Sequence, residues 1–174
     1  MKNIKFKEPA LTAISYLIPI VVAGGFLLAI GNIFGGEAIT EFKGTIGIWD
    51  ALSTAGGLIL GMLPVVVSTG IAFAIADKPG IAPGFMVGLI SKTIGSGFLG
   101  GLIGGYIAGW CAVLVLKYVK VPAWAKGLMP TLIVPFLSSL IAGAVMFYIL
   151  GGPIAEGTKV LTVYLKSLNT NEKF

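Results

Sequence analysis

Four long stretches of this chain contain no charged residue. They cover residues 9–36, 51–76, 93–116 and 127–155, and the charged residues collect between them. Each stretch is longer than the roughly 20 residues that an α-helix needs to cross about 30 Å of hydrocarbon. The pattern therefore predicts an all-α polytopic membrane protein, embedded in a lipid bilayer.

A fifth apolar stretch, residues 79–91, leaves the number of spans open. If its helix continues past Lys92 to about Gly95, the chain crosses the membrane five times. If it stops earlier, residues 80–93 form a re-entrant half-helix and there are four crossings. Assigning the lysines to either side does not separate the two topologies. We expect five, because the lysines at 117, 120 and 126 indicate a cytoplasmic loop between two strong spans.

The distribution of charge divides the chain into three parts. Residues 1–10 are rich in lysine and are predicted to lie on the cytoplasmic side. Residues 11–153 form the transmembrane domain, whose last span is expected to end at the Gly-Gly-Pro of 151–153. Residues 154–174 are predicted to form an amphipathic interfacial helix and a polar tail.

Proline and glycine interrupt nearly every predicted span. Broken, glycine-rich helices are more typical of transporters than of simple membrane anchors. Two series of glycines at spacing four dominate the centre of the chain, and this spacing puts each series on one helix face. We expect these faces to pack closely, either within the protomer or across a dimer. Their members are Gly80, Gly84 and Gly88, then Gly97, Gly101, Gly105 and Gly109.

The composition excludes several classes of chemistry. The chain has 174 residues, 56% of them hydrophobic and 11% charged, with a net charge of +5. All basic residues are lysine, a pattern that suits membrane-proximal loops better than nucleic-acid binding. The absence of histidine excludes histidine-based phosphotransfer, Ser-His triads and histidine metal ligation. There is no P-loop. We therefore expect no catalytic residue, metal or cofactor, and a function in binding, passage or assembly.

Five sequence stretches resemble the membrane-embedded C component (EIIC) of bacterial phosphotransferase-system sugar permeases of the fructose type. The resemblance covers almost the whole chain, which is similar to the N-terminal half of a component about twice as long. The stretches are SYLIPIVVAGGFLLAIG (15–31), IADKPGIAPG (75–84), GSGFLGGLIGGYIAGW (95–110), GLMPTLIVPFLSSLIAGAVM (127–146) and ILGGP (149–153).

This resemblance implies a multi-pass protein of the bacterial cytoplasmic membrane that translocates a fructose-like sugar. Phosphorylation would be carried out by a partner B component. The implied partners are the A and B components, a C-terminal EIIC half and a second copy in a homodimer. In the wider superfamily, the N-terminal half supplies five helices and most of the dimer interface. The alternative is a non-transporting scaffold or regulatory remnant that acts by oligomerisation.

A few polar residues are candidates for specific contacts. Lys92, Thr93 and Asn32 are candidates for substrate binding, although Lys92 is also explained by snorkelling and the other two by helix–helix hydrogen bonds. Asp77 and Lys78 end the second span and are candidates for docking the B component. Their simpler interpretation is a marker of the membrane boundary. Cys111 lies inside a predicted span and is interpreted as a small packing residue.

Overall fold

The computed structural model describes residues 7–41, 44–120 and 127–171, with side chains to residue 167, and the regular structure in these ranges is helical. This confirms the predicted fold class. Residues 1–6, 42–43, 121–126 and 172–174 lie outside the described ranges. The helices are α1 (Lys7–Ile33), α2 (Ile48–Gly61), α3 (Leu63–Ala76), α4 (Ile81–Thr93), α5 (Gly97–Tyr118), α6 (Val134–Val145) and α7 (Gly151–Asn171).

By length and composition, three helices of the described chain can cross a membrane, and a bent pair supplies a fourth crossing. The three are α1, α5 and the continuous helix Met129–Ser167, and the bent pair consists of α2 and α3 at an angle of 45°. Helix α4 has 13 residues and is about 20 Å long, shorter than the hydrocarbon layer. This count is closer to the alternative of four spans plus a half-helix than to the five we expected.

The last helix does not end at Gly151, as its Gly-Gly-Pro sequence suggested. Short π-helical segments, Met129–Ile133 and Met146–Leu150, precede and follow α6, and α7 continues directly from the second. Thr131 and Ile149, which are four positions before Pro135 and Pro153, lie in these segments. In a regular α-helix, their carbonyl groups would clash with the proline rings, and the wider π-helical turn avoids this clash. That residues 154–171 lie at the membrane interface stays a prediction.

Helix α3 lies at the centre of the bundle, and the first glycine series brings α4 against it. A Cβ atom on Gly84 would lie 2.7 Å from the Cβ of Ala72 and 2.9 Å from the carbonyl oxygen of Ser68. A Cβ atom on Gly88 would lie 2.5 Å from the Cα of Val65. Since the backbones themselves are in contact, these positions leave no room for any side chain.

The second glycine series brings α5 against another side of the same helix. Hypothetical Cβ atoms on Gly101, Gly105 and Gly109 would come within 2.9 Å of Pro64, Ser68 and Ile75, respectively. Both series therefore pack within the protomer, with α5 parallel to α3 and α4 antiparallel to it.

The two glycines that begin the series behave differently. Gly80 is buried against Ala72 and extends the α4 contact into the turn. Gly97 has no atom within 4 Å of a hypothetical Cβ and has a φ angle of +55°. It is therefore required for the turn into α5 and does not belong to the packing face, although the spacing of the sequence placed it there.

Helix α1 runs antiparallel to the bent pair and crosses its whole length. Gly24 of α1 packs on Ile59 of α2, whereas Gly70 of α3 packs on Ala13 of α1. Glycine thus mediates these helix contacts as well.

We expect Gly105→Ala to destabilise the bundle by about 1–3 kcal/mol, because the new methyl group would overlap the α3 backbone. Gly57→Ala is the matched control, since nothing lies within 4 Å of its hypothetical Cβ. The control should be neutral or stabilise α2 by up to about 1 kcal/mol through helix propensity. Thermal unfolding in detergent measures both, and equal midpoints for the two variants would contradict the packing described above.

Candidate functional site at the α2–α3 break

The bend between α2 and α3 has a local cause in the sequence. Gly61 contributes no side chain to the helix at this point, and Pro64 lacks the N–H group that would continue the hydrogen-bond ladder. Met62 between the helices has φ −96° and ψ 3°, outside helical values. This break interrupts the helix in the middle of a charge-free stretch, and the N–H of Met62 bonds to the carbonyl oxygen of Ile59 at 3.1 Å. In membrane proteins, such interruptions are tolerated only where protein or water satisfies the backbone.

The turn between α4 and α5 meets this break. Lys92, near the end of α4, has its Nζ atom 3.7 Å from the Sδ atom of Met62. The same Nζ atom is 3.8 Å from a hypothetical Cβ on Gly61. The chain then reverses through Gly95 and Gly97, which both have positive φ angles. A lysine ammonium therefore lies beside the broken helix pair.

Buried hydroxyl groups fix the position of this turn. Ser96 donates a hydrogen bond to the carbonyl oxygen of Ser91 at 3.1 Å, and both serines are fully buried. Thr158 of α7 donates to the carbonyl oxygen of Ser96 at 3.2 Å. Sequence reasoning missed Ser96 and Thr158, because the contact joins residues that are 62 positions apart.

Lys92 lies within the predicted apolar layer. The middle of the charge-free stretch 51–76 falls at Leu63 and Pro64, next to the Met62 contact of Lys92. Helix α5 gives a second estimate. Its Gly101 packs on Pro64, so the ammonium beside Met62 is about 8 Å along the helix axis from the middle of the charge-free stretch 93–116. Both distances are smaller than the roughly 15 Å half-thickness of the hydrocarbon core.

The structure brings together only two of the three candidate substrate-binding residues. Thr93 follows Lys92 and is exposed, and its hydroxyl donates to the carbonyl oxygen of Leu89 at 2.9 Å. Asn32 is at the end of α1, where its Oδ1 atom accepts a hydrogen bond from Ser53 at 2.9 Å. Ser53 precedes Met62 by nine residues, which is about 14 Å of helix. Asn32 therefore belongs to a different part of the protein.

The candidate docking residues lie at the opposite end of α3 and α4. Asp77 and Lys78 are both exposed, and Asp77 has a positive φ angle of 56° in the tight turn. Lys78 borders a groove of about 420 Å³ that separates this turn from the start of the last helix. Thr131 and Pro135 line the other side of the groove.

Cys111 is half-buried and packs against the cluster formed by α3, α4, α5 and α6. This environment agrees with its interpretation as a packing residue. Within the described ranges, no group of three histidine, cysteine or carboxylate side chains is placed to hold a metal ion.

These features define a helical membrane protein with discontinuous helices and a lysine beside the break between two of them. Comparison with known proteins identifies the family: residues 11–171 match the profile described as "Phosphotransferase system, EIIC". The chain belongs to this family, which confirms the resemblance read from its motifs.

Curated relatives support the same assignment. The chain is 46% identical over 160 residues to the fructose-specific EIIB'BC component of Escherichia coli, and 45% identical to the one from Rhodobacter capsulatus. These alignments cover 92% of this chain but only 28% and 27% of the relatives. A fructose-specific EIIC component from Haloferax volcanii is 32% identical, with 93% of this chain and 48% of the relative covered. The chain thus spans about half the length of this relative. No solved structure matches it significantly.

The depth of Lys92 can be measured by labelling. In a Cys111→Ala background, we expect a cysteine at position 92 to react slowly with a membrane-impermeant maleimide from either side. A cysteine at position 120, which is exposed outside the helices, should react quickly from one side. Rapid reaction at both positions, from opposite sides, would instead support a fifth full span.

Proposed function

We propose that this chain is the N-terminal part of the EIIC permease of a phosphoenolpyruvate-dependent phosphotransferase system that transports a fructose-like sugar. The observation that carries the proposal is its membership of the EIIC family together with the fructose-specific names of relatives that are 41–46% identical. The N-terminus is on the cytoplasmic side of the bacterial inner membrane, as its lysine-rich start favours.

The composition of the chain indicates which steps it performs and which it leaves to partner components. Without histidine, the chain has no group for histidine-based phosphotransfer. Phosphorylation therefore depends on soluble A and B components. Relatives described as EIIB'BC components support the B partner, because their names join B and C in one protein. The remaining partners are the complementary half of EIIC and a second copy of the permease.

Within this chain, the sugar path passes the break between α2 and α3. Thr93 follows Lys92 in the chain and is exposed, and because its hydroxyl already donates to the backbone, its oxygen is available to accept a bond from a sugar hydroxyl. Lys92 lies on the same short stretch and can donate to a sugar oxygen. Asn32, whose partner Ser53 is about 14 Å of helix from Met62, lies near the end of the path. Substrate sites of transporters commonly form at such interrupted helices near the bilayer midplane.

A non-transporting scaffold is the weaker alternative. A scaffold of this kind would use the two glycine series as its oligomerisation surface. Six of those seven glycines face α3 of the same chain, and the seventh forms a turn.

Complementation tests the proposed function. We expect co-expression of this chain with the remaining EIIC part and the B component of the Escherichia coli relative to restore fructose uptake coupled to phosphorylation. Cells lacking their own fructose permease provide the assay, and radiolabelled fructose phosphate is the readout. The isolated chain, expressed alone, should give no uptake. Failure with every complementary half, despite normal membrane insertion, would favour the scaffold.

Charge reversal at the cytoplasmic turn tests docking of the B component. We expect Lys78→Glu to lower phosphorylation-coupled uptake by roughly tenfold or less, through weaker association with the B component. Sugar binding by the membrane complex should be unchanged. Lys117→Glu is a control with an equal change of charge, at the end of α5. Equal loss in both variants would mean that net charge, and not the turn, is responsible.

A further inference from the structure

The ammonium group of Lys92 lacks a counter-ion in the described chain. Its recorded contact is the thioether of Met62, a weak acceptor, and no carboxylate of the described ranges forms an ion pair with it. The described carboxylates at positions 8, 37, 41, 50 and 77 lie in connections or near helix ends, and Glu156 is exposed on α7, beyond the last charge-free stretch. A cation at this depth is costly unless it has a partner or faces water.

Snorkelling does not remove this cost. The Nζ atom itself, and not only the backbone, is level with Met62, inside the predicted apolar layer. From there the nearer interface is about 7–15 Å away. In this conformation the side chain therefore keeps its charge inside the predicted apolar layer.

An apolar groove begins at the same place. Met62, which contacts Lys92, also lines a groove of about 480 Å³ that runs between α1, α3 and α4. Tyr16 and Phe85 border it and are 48% and 50% exposed, and Thr69 is the other polar side chain in its wall. A long apolar surface that ends at a single positive charge fits a complementary surface with one negative charge.

We propose that this groove receives a transmembrane helix from the part of EIIC that this chain does not contain, and that a carboxylate on this helix pairs with Lys92. The inference rests on the proposed function. Charge complementarity supports it, and so does the length of the Haloferax relative, since about half of that protein lies outside the region matched. A lipid tail would fill the groove but leave the ammonium unpaired. In a second copy, the described carboxylates all lie outside the charge-free stretches.

Assembly of the two halves tests the pairing. The tagged chain and the remaining EIIC part of the Escherichia coli relative are co-expressed, and the amount that co-purifies in mild detergent is measured. We expect Lys92→Arg to assemble like the unmodified chain. Lys92→Met removes the charge but keeps the length of the side chain. It should reduce the amount of co-purified partner by at least about tenfold, because the carboxylate of the partner helix would be buried without a counter-ion. Lys117→Met is the matched control and should have no effect.

A charge-reversal selection identifies the partner residue. Lys92→Glu should abolish assembly, and selection for restored uptake should recover a substitution of an acidic residue by lysine or arginine in one apolar segment of the other half. In a Cys111→Ala background, Phe85→Cys should form a crosslink to a cysteine introduced into that same segment. A crosslink to a second copy of this chain would overturn the proposed occupant.

The outcomes separate the pairing from the function on which it rests. If Lys92→Met assembles and transports normally, the ion pair is refuted and the proposed function stands. If it assembles normally but loses uptake, Lys92 acts on the sugar and the pairing is also refuted. If the unmodified chain neither assembles nor restores uptake, the proposed function itself fails. The thermal midpoint of isolated Lys92→Met, expected to equal or exceed that of the unmodified chain, excludes misfolding.

Discussion

Close contact between the backbones of α3, α4 and α5 is the constraint on which the rest of the structure depends. Glycines on two neighbouring helices face α3 from different sides, at distances that exclude even a methyl group. In a membrane, such contact replaces the hydrophobic driving force that water provides for soluble proteins. Because α4 and α5 contact α3 along its whole length, the positions of the α2–α3 break and of the turn after α3 are also fixed.

The packing also determines where polar groups can lie. Ser68 is fully buried where the two glycine series meet, and its hydroxyl oxygen has no hydrogen-bond partner among the described residues. Only a small side chain fits where α4 and α5 both contact α3, and a serine side chain is only slightly larger than that of alanine. The turn between α4 and α5, by contrast, has hydroxyl groups that donate to the carbonyl oxygens of the buried Ser91 and Ser96. Ser68 is thus small and enclosed, whereas the hydroxyl groups of Ser96 and Thr158 bond to the backbone.

The short helix α4 connects this architecture to function. Since it packs antiparallel on α3 and stops at the break, it places Lys92 beside that break, within the predicted apolar layer. The protein therefore presents one charge at the edge of an apolar groove. Such an arrangement is unfavourable for an isolated chain, and it becomes understandable if further protein completes the transport domain.

The sequence by itself determined the membrane class, the helical fold, the family and the two glycine series. These features depend on composition, local motifs and residue spacing along one helix, and none of them depends on which other helices lie nearby. Only the tertiary structure decided that both series face α3, that Gly97 forms a turn, and that Asn32 is separated from Lys92. It also revealed the contacts of Ser96 with Thr158 and of Lys92 with Met62. Periodicity identifies the face that a helix presents, but which helix meets that face depends on how distant segments pack together.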